Sequence, residues 1–352
     1  MDKSLLRFFV ELLESPSPSG FEQETQKIFK HFVSNYADDV QSDKNGNAFA
    51  IKNGSGKKRI MLIGHGDEIG LMVKYITDDG YIHFAPIGGI DFHILQGSKV
   101  DIHTQHGVIR GVIGRKPWHL MRKGGSEQLL SMEELWIDIG AKNKAETLSM
   151  VAIGDPITFA KGVDFLPNGL ITSKAIDNKV GVFIVAAVIK ALKGKKTNAS
   201  IYAVSGVQEE ISYKGSHTST FQIAPDIGIA IDVTHATDYP SMDKRAYGDI
   251  KVNGGAVIAR GSRSNPRVFD LLVKAAEKTK KPYQIEAIPG DSRTDAEGIH
   301  MTGAGAASSI VSIPCRYMHT PVEIVSLNDI EAIIELLTKF CLSVNDDTDL
   351  NP

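Results

Sequence analysis

Apolar residues recur along the chain first at helical spacing and later in short runs. Residues 5–13 and 28–33 have apolar positions every three or four residues, which predicts two amphipathic helices at the start. The run at 59–64 is short and bounded by charge and glycine, as in a strand covered on both faces. After residue 176 helical and strand patterns alternate. The predicted helices are Val180–Leu192, Pro266–Lys280 and Asp329–Val344, and the predicted strands are Ser200–Val207, Ile227–Val233, Tyr283–Ile288 and Ser308–Ile313.

Residues 71–164 have a different pattern. They contain glycines and short alternating segments but no long helical periodicity, which predicts short antiparallel strands. We therefore predict a β-rich domain at 71–164, inserted into a domain made of residues 1–70 and 165–352. The order of elements in that larger domain favours an α/β fold with a mixed, mostly parallel sheet sandwiched by helices.

Composition excludes several classes of protein. A chain of 352 residues with 42% hydrophobic residues can form one large domain and a smaller one. A net charge of -3 with mixed signs gives no reason to expect nucleic acid or an anionic membrane as partner. Cys315 and Cys341 do not make a disulfide framework. No run approaches the roughly 20 apolar residues of a membrane span, so a cytoplasmic protein is predicted.

Acidic and imidazole side chains follow several of the apolar runs. They are His65, Asp67, Asp177, Glu209, Glu210, Asp232 and His319. Parallel strands would bring such residues to one edge of a sheet. Carboxylates and imidazoles gathered in this way are what a two-metal hydrolytic site requires.

Each of these residues has a defined chemical use and also a plain structural explanation. His65 and Asp67 are two apart, so on an extended backbone one can ligate a metal while the other orients it; a polar turn is the alternative. Asp177 suits a carboxylate that bridges two cations, but it also suits a helix N-cap. Glu209 and Glu210 would repel each other in a cleft unless one were a ligand and the other a base; an exposed surface pair is the alternative.

Eight stretches together resemble the M42 family of metallo-aminopeptidases, a branch of the co-catalytic metal exopeptidases. They occur in the family's order over nearly the whole chain. The stretches are GHGDEIGLMV at 64–73, GVIGRKPWHL at 111–120, ELWIDIGA at 134–141, AIDNKVG at 175–181, VQEE at 207–210, AIDVT at 230–234, TDAEGI at 294–299 and IPCRYMHTPVE at 313–323.

The resemblance implies a site with two divalent metal ions per subunit. His65, Asp177 and Asp232 would hold one ion. Asp177, Glu210 and His319 would hold the other, with Asp177 bridging. Two histidines and three carboxylates suit zinc, cobalt or manganese. The resemblance also implies a zinc-exopeptidase-like fold, in which the inserted domain is a small β-barrel used for subunit contacts.

The same resemblance implies an aminopeptidase that removes N-terminal residues from short peptides. Glu209 would be the general base for a water activated by the two metals, and Asp67 would support His65. Members of the family assemble from dimers into hollow dodecamers, so a homo-oligomer is expected. The chain departs from the family pattern at Asn178 and Lys179, where Asp and Arg are common, and at Gly290–Asp295, where a shorter segment is usual.

Three other functions remain open at this point. A related two-metal amide hydrolase would act on acylated amino acids. A glycoside hydrolase would use Glu209 and Glu210 as paired carboxylates, but adjacent residues are badly placed to flank a sugar bond at about 5–10 Å. The third is a scaffold protein whose metal site has decayed.

Overall fold

The computed structural model describes residues 1–120, 131–160 and 162–352. The chain forms two compact units. The large unit comprises Met1–Glu68, Val163–Met318 and Val322–Pro352, and the small unit comprises Ile69–Gly162 with His319–Pro321. The predicted inserted range includes residues 121–130 and 161, which lie outside the described residues. Its use for subunit contacts stays a prediction.

Seventeen strands and ten α-helices occur in the described part of the chain. The strands are β1 (Asp39–Ser42), β2 (Ala48–Lys52), β3 (Arg59–His65), β4 (Gly70–Ile76), β5 (Ile82–Ile87), β6 (Lys99–Thr104), β7 (Gly107–Gly114), β8 (Trp136–Asp138), β9 (Pro156–Phe159), β10 (Val163–Leu166), β11 (Leu170–Ser173), β12 (Ser200–Gly206), β13 (Ile227–His235), β14 (Ala256–Gly261), β15 (Tyr283–Ile288), β16 (Ala307–Cys315) and β17 (Glu323–Ser326). The helices are α1 (Lys3–Glu14), α2 (Gln23–Val33), α3 (Lys144–Met150), α4 (Ile176–Leu192), α5 (Glu209–Ser212), α6 (Lys214–Ile223), α7 (Lys244–Tyr247), α8 (Pro266–Thr279), α9 (Ala296–Met301) and α10 (Leu327–Ser343).

The large unit is built on an eight-stranded mixed sheet, in the order β1-β2-β12-β3-β13-β16-β14-β15. The central strands β12, β3, β13 and β16 run parallel to one another. They are largely buried, as expected for parallel strands covered on both faces. Their carboxyl ends therefore meet at one edge of the sheet. The predicted α/β class, with a mixed and mostly parallel sheet, is confirmed.

Each face of this sheet has its own core. Alternate strand residues such as Ile60 and Leu62 pack with side chains of α1, α2, α4, α8 and α10. The intervening residues, such as Met61 and Ile63, pack with side chains of α6 and α9. We call these the α4 face and the α9 face. The period of two in a strand divides the side chains between the two cores.

The small unit is a closed antiparallel barrel with strand order β4-β5-β8-β7-β6-β9. Its interior side chains, such as Val100 and Ile102 on β6, form a separate buried core. The predicted barrel-like sheet is confirmed. In the described part of the chain, no helix has the length and apolar character needed to cross a membrane.

Candidate active site

His65 lies at the carboxyl end of β3 and is almost fully buried. Its ring is brought to this edge by a close approach between β3 and α4. A Cβ atom on the preceding Gly64 would lie 2.5 Å from the backbone carbon of Gly181. Residue 64 is therefore glycine because only glycine lets the start of α4 reach the end of β3.

Four predicted carboxylates surround the His65 ring. Its Nε2 atom lies 3.3 Å from Asp177 Oδ1, 3.6 Å from Glu209 Oε2 and 3.8 Å from Asp232 Oδ1. Ligand atoms of His65, Glu209 and Asp232 lie within 4.8 Å of one another, and so do those of His65, Asp177 and Glu210. Asp67 also lies beside this ring, so the structure brings six of the seven predicted site residues together.

Polar contacts hold the segment that carries Asp177. The backbone N–H of Asp177 donates to Glu323 Oε2 at 3.0 Å. The Asn178 side chain donates to Ile231 O at 2.8 Å and accepts from the Gly181 N–H at 3.0 Å. An amide can donate and accept at once, whereas an ionised carboxylate can only accept. This accounts for Asn178 where the family often has Asp. The peptide bond between Asp177 and Asn178 is cis.

Lys179, the second departure, belongs to a buried ion cluster. Its Nζ lies 2.9 Å from Glu68 Oε1, and Lys174 Nζ lies 2.6 Å from Glu68 Oε2. Lys179 also donates to Ser15 O. Two lysines thus contact the two carboxylate oxygens that a single arginine fork would otherwise bind. Burial raises the pKa of Glu68, but the two cations outweigh it and hold the value at about 2.

Asp67 supports more of the site than the sequence predicts. Its carboxylate lies beside His65, with Oδ1 3.4 Å from Nδ1. The same carboxylate accepts the backbone N–H of Glu209 at 3.1 Å and of Glu210 at 3.2 Å. The Ser19 hydroxyl donates to Asp67 Oδ2 at 2.6 Å. Asp67 therefore fixes both the imidazole and the two-glutamate segment.

Burial and mutual repulsion perturb the charges of this cluster. Burial raises the pKa of Glu209 and of Asp232 well above the usual range, and neighbouring carboxylates raise both further. Burial lowers the pKa of His65, but Glu209, Asp177 and Asp67 outweigh this and raise it well above its usual value. The carboxylates therefore exceed the positive charge that the protein supplies to them.

Asp295 also lies in this region and is missing from the sequence-based set. It is 2% exposed, and neither carboxylate oxygen has a hydrogen-bond partner among the described residues. Burial has the largest effect on the pKa of Asp295, and His65 and the nearby Ser216 offset part of it, although the Ser216 hydroxyl donates to Tyr213 O. Burial raises the pKa to about 6. Asp295 belongs to the stretch TDAEGI at 294–299, but the predicted strand before that stretch ends at Ile288, so Asp295 does not directly follow a strand as the other predicted residues do.

Glu22 is a second residue that the sequence reasoning missed. It is 5% exposed, and its Oε1 accepts the N–H of Gly20 at 2.7 Å and of Gln208 at 3.2 Å. Burial raises the pKa of Glu22 to about 7. Gln208 has positive φ and directly precedes Glu209. Glu22 therefore helps to hold the turn that delivers the two glutamates.

His319 groups with the small unit. Its Nδ1 lies 2.7 Å from Gly89 O, and its φ is 61°. Neither of the two groups of clustered ligand atoms includes it. Its predicted place as a metal ligand stays a prediction.

The model of the M42 glutamyl aminopeptidase family matches residues 46–336. The chain belongs to the M42 peptidase family. It is therefore a peptidase, as the sequence motifs predict.

Three known proteins are similar to this chain over nearly their full length. The lysyl aminopeptidase of Pyrococcus furiosus is 32% identical, with 93% of each chain covered. The structure of a TET aminopeptidase from the marine sediment archaeon Thaumarchaeota archaeon SCGC AB-539-E09 has a TM-score of 0.94, 30% identity and 98% of each chain covered. The Pyrococcus horikoshii TET1 peptidase, which can assemble into a tetrahedron or a large octahedral shell, has a TM-score of 0.86 and 28% identity, with 97% of this chain and all of that chain covered.

The donor atoms grouped around His65 are suited to binding divalent cations. The donors are one imidazole and several carboxylates, a set that zinc, cobalt and manganese accept. Glu209 Oε1 is buried and has no hydrogen-bond partner among the described residues. Divalent cations would offset the repulsion that raises the carboxylate pKa values.

Proposed function

We propose that this M42 peptidase is a metal-dependent aminopeptidase that removes N-terminal residues from short peptides. The environment of Glu209 carries the proposal. Its Oε1 is buried without a hydrogen-bond partner in the described chain, and burial raises its pKa well above the usual range. A carboxylate with a raised pKa and an available oxygen suits proton transfer near neutral pH.

We assign the ligands to two divalent ions. His65, Asp177 and Asp232 would hold one, and Asp177, Glu210 and His319 would hold the other. The clustering of four of these five side chains supports the assignment. When bound, the ions supply Lewis-acid activation of water and of the scissile carbonyl.

The protein's own residues handle the proton and the alignment. Glu209 accepts a proton from the attacking water and returns it to the leaving amine. Asp67 keeps Glu209 and Glu210 in place through their N–H groups and also orients His65. A base that is fixed before substrate arrives avoids a reorganisation cost during the reaction.

We also propose that the chain acts as a dimer-based homo-oligomer of up to twelve subunits. The assembly of the Pyrococcus horikoshii relative supports this. The small unit also exposes apolar side chains, among them Val108 and Val112 on one side of β7. Apolar surface of this kind is typical of contact regions when it forms a patch. Analytical ultracentrifugation would measure the subunit number, and a monomer at micromolar concentration would contradict this proposal.

The experiment that tests the activity uses metal-stripped protein and a panel of aminoacyl-anilides of Leu, Lys, Glu and Ala. Each substrate is offered with a free and with an acetylated amino group, before and after zinc, cobalt or manganese is added. We expect metal-dependent cleavage of the free forms only. Cleavage of the acetylated forms alone would favour an amide hydrolase, and no cleavage with any metal would favour an inactive relative.

The preferred N-terminal residue depends on this chain's own pocket. The family description names a glutamyl enzyme and the Pyrococcus furiosus relative is named a lysyl enzyme. These two side chains carry opposite charges. The charged groups beside the candidate active site are therefore the features that distinguish the two preferences.

A further inference from the structure

Glu286 is a half-buried carboxylate on the α9 face of the sheet. It lies on β15 directly opposite Ala259 of β14, and Ala259 packs in the α9-face core. The Thr234 hydroxyl donates to Glu286 Oε1 at 2.7 Å. The Glu286 carboxylate is therefore held at Thr234, on the strand β13.

Thr234 connects Glu286 to the candidate active site. Thr234 follows Asp232 by two residues on β13, so both side chains stand on the same face of that strand. A strand rises about 3.3 Å per residue, which puts the two positions about 7 Å apart. The Glu286 carboxylate thus lies on the same face of the sheet as Asp232 and near the same end of β13.

No cation among the described residues forms an ion pair with Glu286. Arg260 faces away from it, since its guanidinium lies 5.4 Å from the Phe269 ring of α8. Arg316 is bound by Asp238 at 2.8 and 2.6 Å. The Thr234 hydroxyl is the partner that the structure gives to Glu286. The Glu286 carboxylate therefore has no cation bound to it in the part of the chain that the structure describes.

We propose that Glu286 determines specificity by binding a positively charged side chain, lysine or arginine, on the substrate's N-terminal residue. The inference rests on the proposed aminopeptidase function. Lysine carries its ammonium on a flexible four-carbon stem and arginine presents a planar fork, so both extend well beyond the scissile bond. A partly desolvated carboxylate favours such a cation and disfavours a glutamyl side chain by like-charge repulsion.

The test measures kcat/KM for Lys-, Arg-, Leu- and Glu-anilides with metal-loaded wild type and Glu286→Gln. Glutamine keeps an oxygen that accepts the Thr234 hydroxyl but removes the charge. We expect the Lys-to-Leu and Arg-to-Leu ratios of kcat/KM to fall at least tenfold. Glu286→Lys should shift the preference toward the Glu-anilide. Glu277→Gln is the matched control, because Glu277 is exposed on α8, which packs on the α4 face, and its ratios should stay within twofold.

The outcomes separate the two proposals. If wild type cleaves the Leu-anilide but the ratios do not respond to Glu286→Gln, the specificity role is wrong and the aminopeptidase function stands. A wild-type preference for the Glu-anilide would also overturn the specificity role. If wild type cleaves none of the free anilides with any metal, the aminopeptidase function itself is wrong.

Discussion

Two buried polar clusters lie next to each other in the large unit, and the pKa values of their carboxylates are shifted in opposite directions. Glu68 meets two lysines, Lys174 and Lys179, and its pKa falls to about 2. Around His65, Glu209 and Asp232 have pKa values raised well above the usual range. The chain neutralises one carboxylate internally and leaves the others to repel one another.

The difference distinguishes a structural cluster from a functional one. A buried carboxylate that is paired within the chain contributes to a defined fold, although its desolvation offsets much of the attraction. Buried carboxylates without internal cations cost stability unless a ligand supplies positive charge. Asp67 and Glu68, which are adjacent in sequence, mark where one cluster ends and the other begins.

The largest expected effect tests the functional cluster. Glu209→Gln should lower kcat by about 10³-fold, because the base is lost while the side chain keeps its volume. Metal content, measured by elemental analysis, should stay near that of wild type. Glu210→Gln is the matched comparison and should lose bound metal together with activity. Wild-type turnover by Glu209→Gln would remove this residue from the mechanism.

The next effect tests the structural cluster. Glu68→Gln removes the carboxylate that contacts two buried lysines and should lower the free energy of unfolding by about 3 kcal/mol at neutral pH, measured by urea denaturation. Lys174→Met leaves Glu68 paired one to one with Lys179 and should cost less. Equal losses in the two variants would show that the balance of charge does not stabilise this cluster.

The pH dependence of Glu68→Gln follows from its pKa. The folded value of about 2 lies below the ordinary value of 4.5. The stability that Glu68 contributes is therefore complete above its unfolded pKa and is lost as the pH falls toward 2. The difference in unfolding free energy between wild type and Glu68→Gln should shrink over this range.

Metal removal tests the contrast directly. Each ion at 100 times its Kd should stabilise the folded chain by about 2.7 kcal/mol, so a chelator that removes both ions should lower Tm by about 7 °C. The folded pKa values of Glu209 and Asp232 are raised, so the metal-free protein loses stability as the pH rises above their unfolded values near 4. The shift in Tm should therefore grow with pH. A shift that is the same at pH 5 and pH 8 would contradict the idea of uncompensated charge.

The variant Asp232→Asn tests the same effect of metal on Tm with one buried carboxylate removed. Without metal it removes one repelling buried carboxylate and should raise Tm above that of metal-free wild type. The substitution also removes a proposed metal ligand, so metal should raise the Tm of the variant by less than it raises the Tm of wild type. A lower Tm under both conditions would mean that Asp232 is needed for packing alone.

The buried strands that carry the site could be predicted from the sequence. β3, β12, β13 and β16 are short apolar runs bounded by polar residues, and such runs have few alternatives in an α/β chain. β14 was not predicted, because its apolar part is only four residues long and follows two glycines. The helix at Val180 begins at Ile176 in the structure, although Asp177 and Asn178 do not have helical dihedral angles.

The sequence predicted the residues that follow strands, but it could not find those that enter from loops. Ser19 and Glu22 lie between α1 and α2. The spacing of apolar and polar residues does not indicate that this loop contacts Asp67 and Gln208. Such contacts join residues far apart in sequence. The ion pair between Lys174 and Glu68 could not be predicted from the sequence for the same reason.

The smallest effect concerns the loop that joins α1 and α2. Ser19→Ala removes the hydroxyl that donates to Asp67 Oδ2, while the N–H of Glu210 still contacts the same oxygen. A hydrogen bond to a charged group is worth about 1.5–2 kcal/mol, so kcat should fall about ten- to thirtyfold. Ser17→Ala is a matched control in the same loop, because the Ser17 hydroxyl is buried without a hydrogen-bond partner among the described residues. Its kcat should stay within twofold of wild type. If both variants lose activity equally, the loop acts through packing and the bond to Asp67 has no separate role.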